Sequence, residues 1–223
     1  DPRGQALKRH SSHMLQFRPG ADVSMLNAIM HVIVEEGLYD DDYVAKYTEN
    51  WEAQKEHLKD FSPEKMAPIC GIEAEMLRDV ARTFAGARAG MIFWGMGVSQ
   101  HIHGTDNSRC LISLAFMTGN VGKPGAGLHP LRGQNNVQGA SDAGMIPMFL
   151  PDYQPVSDDG VRSAFTEVWQ SEDFSSERGL TVVEIMEAIH NDNIKAMYIL
   201  GENPAMSDPD VEHARDALAK LDH

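Results

Sequence analysis

Between Asp22 and Val34, apolar residues recur at Val23, Leu26, Ile29, Met30, Ile33 and Val34, the three-and-four spacing of a helix that buries one face. Asp22 reads as its amino-terminal cap and Gly37 as its stop. The same pattern predicts helices over 41–47, 51–58, 62–69 and 73–84, with Ser62-Pro63-Glu64 supplying a cap and a first-turn proline. Gly90-Met-Ile-Phe-Trp-Gly95 is a short apolar run closed by glycine at both ends, which predicts a buried strand; a glycine turn and a helix over 106–117 follow it. Downstream, 161–170 and 181–191 predict helices, 194–200 a strand, Gly201-Glu-Asn-Pro204 a turn, and Asp210 the start of a last helix. Asp1-Pro-Arg3 reads as the mouth of another strand, ahead of a turn over Arg18-Pro-Gly-Ala21. Strand, tight turn and helix thus occur in that order twice, the local grammar of a nucleotide-binding α/β unit.

Residues 120–160 break the periodicity and are rich in Gly, Pro, Asn and Asp. A structureless run of that length is functional or disordered. Within it, Pro130-Leu-Arg-Gly-Gln-Asn-Asn-Val-Gln-Gly-Ala-Ser-Asp-Ala-Gly144 sets one guanidinium among amides and glycines with little aliphatic bulk. Gly133, Gly139 and Gly144 admit a ligand close to the backbone, while Gln134, Asn135, Asn136 and Gln138 offer paired donors and acceptors. Arg132 adds a planar fork that suits a carboxylate or phosphate. The segment therefore reads as a polar cradle for an anion.

Composition narrows the classes. The 223 residues carry 42% apolar side chains, enough for one large core or two small ones. A formal charge of −14 without clustered Lys and Arg argues against nucleic acid. No apolar run approaches the roughly 20 residues of a membrane helix, and no export signal is present, so the expected location is cytoplasmic without direct membrane insertion. Cys70 and Cys110 stand far apart without a C-x-x-C, which predicts free thiols in a reducing compartment. The first residue is Asp and the last helical pattern simply stops, so the chain reads as an interior piece of a longer polypeptide.

The cradle, together with Gly95-Met-Gly-Val-Ser-Gln-His101, Thr118-Gly-Asn-Val-Gly-Lys-Pro124, Leu15-Gln-Phe-Arg-Pro-Gly-Ala-Asp22 and Leu200-Gly-Glu-Asn-Pro204, resembles the molybdopterin-dependent formate dehydrogenases over nearly the whole chain. That resemblance implies an α/β fold, with parts of two nucleotide-binding (Rossmann-like) three-layer α/β domains of the formate dehydrogenase/DMSO reductase type. Residues 1–133 would belong to one dinucleotide domain and 134–223 to the other. It also implies a bis-molybdopterin guanine dinucleotide with Mo or W, and a 4Fe–4S cluster held upstream of these residues. The substrate would be formate, converted to carbon dioxide. Electron-transfer partner subunits are implied, and the variant His101-Ile-His-Gly-Thr-Asp-Asn107 is similar to the larger enzymes with an NAD-linked diaphorase partner.

Roles transfer only where motifs match. Arg132 matches the arginine that orients formate, whose carboxylate a guanidinium can hold while a hydride or its equivalent leaves carbon. Gly95, Met96, Gly97 and Gln100, with Gly133, Gln134 and Asn136, match positions near the pterin and phosphates. Asp1, Asp22 and Glu202 are the acidic candidates for guanine or ribose, flanked by Arg3, Gly20, Gly201, Asn203 and Pro204. Asp22 is equally well explained as a helix cap, and Glu202-Asn203-Pro204 as a plain turn. No metal ligand is assigned: His101, His103 and Asp106 miss the usual zinc spacings, and Cys110 sits in an apolar helical stretch. Met145, Met148 and Phe149 read as packing residues, and His129 as a solvated loop histidine. The alternatives are another bis-pterin oxidoreductase such as a nitrate reductase, or a non-catalytic cofactor-binding or assembly module.

Overall fold

The computed structural model describes residues 1–172 and 174–223. They fall into two compact units, Asp1–Gly133 and Gln134–His223. The protein is α/β, rich in helix, with small sheets.

Unit 1 is organised around helix α1 (Asp22–Glu35). Its buried residues are not one stripe: Leu26, Asn27, Ala28, Ile29, Met30, Val32 and Ile33 are all inside. The reason is that α1 is surrounded by α3 (Trp51–Leu58), α4 (Pro63–Cys70), α5 (Ala74–Ala85) and α7 (Gly104–Met117), with the short α2 (Asp41–Tyr47) packed on α7. A helix enclosed on most sides is apolar around most of its circumference. Buried Asn27 finds a partner in the Cys110 thiol, which donates to its Oδ1 at 3.7 Å; burial, then the Asp106 charge, push that thiol up to about 11. Both cysteines are free.

Asp22 does not cap α1. Ala21 is the N-cap residue, with no side-chain cap bond, and Asp22 is the first helical residue. The preceding turn closes through Ala21 N–H to Arg18 O at 3.1 Å, so the Ala21 carbonyl becomes the first acceptor of the helix. The Asp22 carboxyl group is left buried at 6% exposure.

β1 (Met91–Trp94) pairs in parallel with β2 (Gly127–Pro130), in the register Met91↔Gly127 to Trp94↔Pro130. Parallel strands need a crossover, and here it is the four-residue α6 (Met96–Ser99) followed by α7. Asn120, 1% exposed, fixes where β1 begins: its Oδ1 accepts from Gly90 N–H at 2.8 Å and its Nδ2 donates to Thr118 Oγ1 at 2.9 Å. Ile92, Trp94 and Leu128 pack on the helical core. On the other face Phe93, 58% exposed, stacks on His129 with ring centroids 4.9 Å apart, so His129 is a strand residue rather than a solvated loop histidine.

Unit 2 begins with α8 (Val137–Asp142), then the short antiparallel pair β3 (Phe149–Leu150) and β4 (Gln154–Pro155). Together with β2, these elements occupy the stretch 120–160 that reads as structureless in sequence. Its irregular composition reflects very short elements joined by tight turns. α9 (Asp159–Trp169), α10 (Val182–His190), α11 (Pro204–Ser207) and α12 (Val211–Leu218) complete the unit. Its core is small: Met186, Ile189, Ala214 and Ala217, with Ile185, Ile194, Met197 and Leu221 against them.

Asp1-Pro-Arg3, read as the mouth of a strand whose body lies upstream, is irregular and leads into a short 3-10 turn, Ala6–His10. The strand predicted over 194–200 does not form, because no run of partner backbone lies along it among the described residues. Backbone bonds are nevertheless made to 222–223: Met197 N–H donates to His223 O at 3.1 Å, and Lys195 O accepts from Asp222 N–H at 2.8 Å and from His223 N–H at 3.4 Å.

Caps stabilise the helices of unit 2 locally. Thr181 and Glu184 form a capping box on α10, and Arg178 grips the same Glu184 carboxylate through two bonds of 2.6 and 3.0 Å. Arg178, then the Thr181 backbone and hydroxyl bonds, hold Glu184 down at about 2. A depressed carboxylate contributes stability that is present above its ordinary value of 4.5 and is lost as pH falls toward about 2. Glu184→Gln should therefore lower unit 2 stability at pH 7 and flatten its loss between those pH values, as read by denaturant melts across pH. Asn136 caps α8 from the left-handed region (φ 50°), its Oδ1 accepting from Gly139 N–H at 3.2 Å. Asn136→Ala should cost about 1–2 kcal/mol from the lost cap and the strained φ. Asn136→Gly should recover the backbone part, measurable in the same melts.

Candidate functional site

Because β1 and β2 run in parallel, both carboxyl ends emerge at one edge of the sheet, the edge where open α/β sheets hold ligands. β1 leads into Gly95-Met96-Gly97 and β2 into Leu131-Arg132-Gly133. The two segments are stitched together: Leu131 N–H donates to Trp94 O at 2.6 Å. A side chain on Gly95 would come within 3.1 Å of the Leu131 carbonyl, and one on Gly133 within 3.7 Å of Met96 Cε. Five of the expected site residues are thereby brought together, namely Gly95, Met96, Gly97, Arg132 and Gly133.

This edge is open to a ligand. Gly97 is exposed and has nothing within 4 Å of where a side chain would start, so its backbone can be approached. Arg132 is exposed, and among the described residues its guanidinium makes no hydrogen bond or ion pair, so its full fork of donors is available. Gln100 ends α6, its N–H bonded to Met96 O at 2.8 Å and its side chain exposed. His101 is taken up by the loop, its Nε2 donating to Gly97 O at 2.7 Å. Among the described residues no group of three His, Cys, Asp or Glu side chains is placed to hold a metal ion.

The α6 segment is anchored by two residues that the sequence reading did not single out. Asn107, 2% exposed on α7, donates from Nδ2 to Val98 O at 2.9 Å. Gly104 opens α7 so close to α6 that a methyl there would lie 1.9 Å from Ser99 O. The sequence did carry a signal for the first: Asn107 lies on the same helical face as Cys110, Leu111 and Leu114, and a buried amide needs a partner.

A second group lies around the start of unit 1. The Asp1 carboxylate accepts from Arg3 N–H at 2.8 Å and from Gln5 Nε2 at 3.4 Å. The Asp1 backbone nitrogen donates to Leu15 O at 3.2 Å, which ties this start to the segment that leads into α1. Gly20 (φ 83°) is open on its side-chain side, and the Arg3 side chain is exposed. Asp22 is not the cap, but a carboxylate in the first turn of α1 keeps a structural role there beside its candidate one.

Two further groups lie in unit 2. Gln134 is exposed, but the Asn136 side chain is committed to the α8 cap, and Gln138 to Asp142 at 3.2 Å and Tyr153 at 3.1 Å. In the turn after 200, Glu202 Oε1 accepts from Ser207 Oγ at 2.7 Å and Asn203 N–H at 3.0 Å. These bonds, the Ser207 one foremost, hold Glu202 below the usual carboxylate range, so it is an ionised acceptor. Gly201 (φ 72°) is open, Asn203 is exposed, and Pro204 is buried at the first turn of α11. A separate hollow of about 310 Å³ between α2, α3 and α7, lined by Trp51, Gln54, Ser113 and Phe116, includes none of the residues at the strand ends.

Comparison with known proteins supplies the family. The profile described as Molybdopterin oxidoreductase matches residues 1–223. The F420-dependent formate dehydrogenase subunit alpha of Methanocaldococcus jannaschii is 43% identical over 222 residues, covering 100% of this chain and 32% of its own. Formate dehydrogenase H of Escherichia coli is 39% identical, covering 100% and 31%, and the nitrate reductase of Synechocystis is 32% identical, covering 98% and 31%. The chain thus spans about a third of the length of these curated relatives. Acetylene hydratase from Pelobacter acetylenicus shares the fold, with a TM-score of 0.68 at 18% identity over 100% of this chain and 33% of that one. Matched along its entire length, and to formate dehydrogenase subunits above all, this chain belongs to the molybdopterin oxidoreductase family.

Proposed function

We propose that the chain forms part of the catalytic subunit of a formate dehydrogenase that oxidises formate to carbon dioxide, a proton and two electrons. The reading is carried by the junction of Gly95–Gln100 with the segment bearing Arg132, which has no side-chain partner among the described residues, at the carboxyl edge of a parallel strand pair. Formate is a planar carboxylate, and a guanidinium that binds both its oxygens leaves the C–H bond pointing away in one direction. Arg132 is thus assigned the orientation of formate. The −14 charge around it makes a local cation necessary, since the general field repels the substrate.

The residues fit a bis-molybdopterin guanine dinucleotide. Open backbone at Gly20, Gly97 and Gly201 admits phosphate or pterin, with Met96 and Gln100 next to Gly97 in the chain and Gly133 and Gln134 directly after Arg132. Asp1, Asp22 and Glu202 supply carboxylates for the N–H groups of guanine, with Arg3 and Asn203 next to them in sequence. Asn136 contributes through the backbone of its turn, its side chain being spent on the helix cap. When bound, the Mo or W centre and its pterins supply the redox chemistry, and the 4Fe–4S cluster of the longer polypeptide carries electrons onward. The partners are electron-transfer subunits, and the compartment is the cytoplasm.

The same reading assigns 1–133 and 134–223 to two Rossmann-like dinucleotide domains. The β1–α7–β2 crossover supports the first assignment. The similarity to a nitrate reductase keeps oxyanion reduction as the competing chemistry.

In the full-length enzyme, Arg132→Lys should keep its metal and pterin content yet lower kcat/KM for formate by about a hundredfold, because an ammonium cannot reproduce the bidentate fork. Arg132→Ala should lose at least as much. Steady-state kinetics with formate, and with nitrate as the alternative substrate, test this; near-normal formate turnover in both variants would overturn the assignment.

A further inference from the structure

We infer that Asn107 and Gly104 are positioning residues that set the Met96–Gln100 segment against Leu131–Gly133, and so govern how firmly the cofactor is retained; this rests on the reading given under Proposed function. Three observations carry it. First, the Asn107 amide, 2% exposed, reaches nine residues back in the chain to the Val98 carbonyl at 2.9 Å. Val98 O belongs to a four-residue helix, whose last carbonyls have no partners of their own in the helix. Second, at Gly104 a methyl group would meet Ser99 O at 1.9 Å and Ser99 C at 2.6 Å, both backbone atoms that no rotamer change can move aside. Third, on its opposite side the same segment is fixed to the Arg132 strand end through Gly95 and Leu131. α6 is therefore held between α7 and β2, and shifting either contact moves Met96, Gly97 and Gln100 together.

Arg132 is not part of this latch, so the two roles separate experimentally. Arg132 acts on formate, whereas Asn107 and Gly104 act on the bound group through the backbone of Met96–Gln100. Asn107→Asp keeps the shape but turns a donor into a second acceptor facing a carbonyl, and Asn107→Leu removes the bond while keeping bulk. Gly104→Ala attacks the other contact.

The test uses the full-length enzyme purified with its accessory subunits. Mo and W are measured by mass spectrometry, and guanine nucleotide released by acid is measured per polypeptide, before and after prolonged dialysis. The expected result for Asn107→Leu, Asn107→Asp and Gly104→Ala is a drop in retained metal and nucleotide of about tenfold, the scale on which an outer hydrogen bond affects a bound group. The KM for formate of the loaded fraction should stay at the wild-type value, and the thermal transition of the cofactor-free protein should shift by no more than about 4 °C for Asn107→Leu, with a larger drop for Gly104→Ala because its methyl meets backbone. Arg132→Lys should show the reverse, full loading with altered formate kinetics. Wild-type retention in all three variants would overturn the inference. So would misfolding of all three, which would make both residues determinants of the general fold. A wild-type enzyme that carries neither metal nor guanine nucleotide would instead bring down the functional reading on which it rests.

Discussion

The parallel register of β1 and β2 is the constraint on which the candidate site depends. Four pairs of residues fix it, and the direction of pairing puts both exits at one edge. Had the strands paired in the opposite sense, Gly95 and Arg132 would lie a strand length apart. A slip of one residue would be as damaging: Trp94 would leave the helical core, Phe93 would enter it, and Arg132 would move by about 3.3 Å along the strand direction. Burial of Ile92, Trp94 and Leu128 on one face therefore secures the geometry of a site none of them touches.

The two units achieve their stability differently. Unit 1 is a helical cluster closed around α1, with an extensive apolar core. Unit 2 has four buried apolar residues in its core and relies more on local chemistry: a capping box with a bidentate arginine, side-chain caps on α8, α9 and α12, and the His190–His213 ring pair at 4.3 Å. Local bonds of this kind are modest individually, so unit 2 is the part more exposed to changes in pH and salt.

The helices were legible because their signals are local. Predicted 41–47 and 51–58 match α2 and α3 to the residue, and 62–69, 73–84, 161–170 and 181–191 differ from the observed elements by one or two positions at their ends. The strand at Met91–Trp94 was legible from its glycine brackets, but it is half-exposed rather than buried, with Met91 and Phe93 open to solvent. What failed was whatever depended on a distant partner. Residues 194–200 have the composition of a strand, but a strand exists only beside another, and their backbone is met by Asp222 and His223 without a run of pairing. Asp22 has the sequence of a cap, yet the turn from Arg18 shifted the helix start to Ala21 and left the carboxyl group buried. Among the candidate site residues, Gly95, Gly97, Arg132 and Gly133 were proposed from composition and motif. Gly104 and Asn107 did not, because their importance is a backbone approach and a bond across nine residues.

Enclosure of α1 has a consequence for how the chain is made. Its apolar circumference is covered in stages, by α3 and α4, then α5, and last by α7. The end of α7 is made about 80 residues after α1, which at a synthesis rate of about 5–20 residues per second leaves one side of the helix uncovered for some 4–16 s. Until then the side of α1 that meets α7, where Asn27 is joined to Cys110, stays uncovered on every nascent chain. What shields that side in the interval, as well as the final stability of the fold, bears on how many chains reach the state in which Arg132 and Gly95 meet.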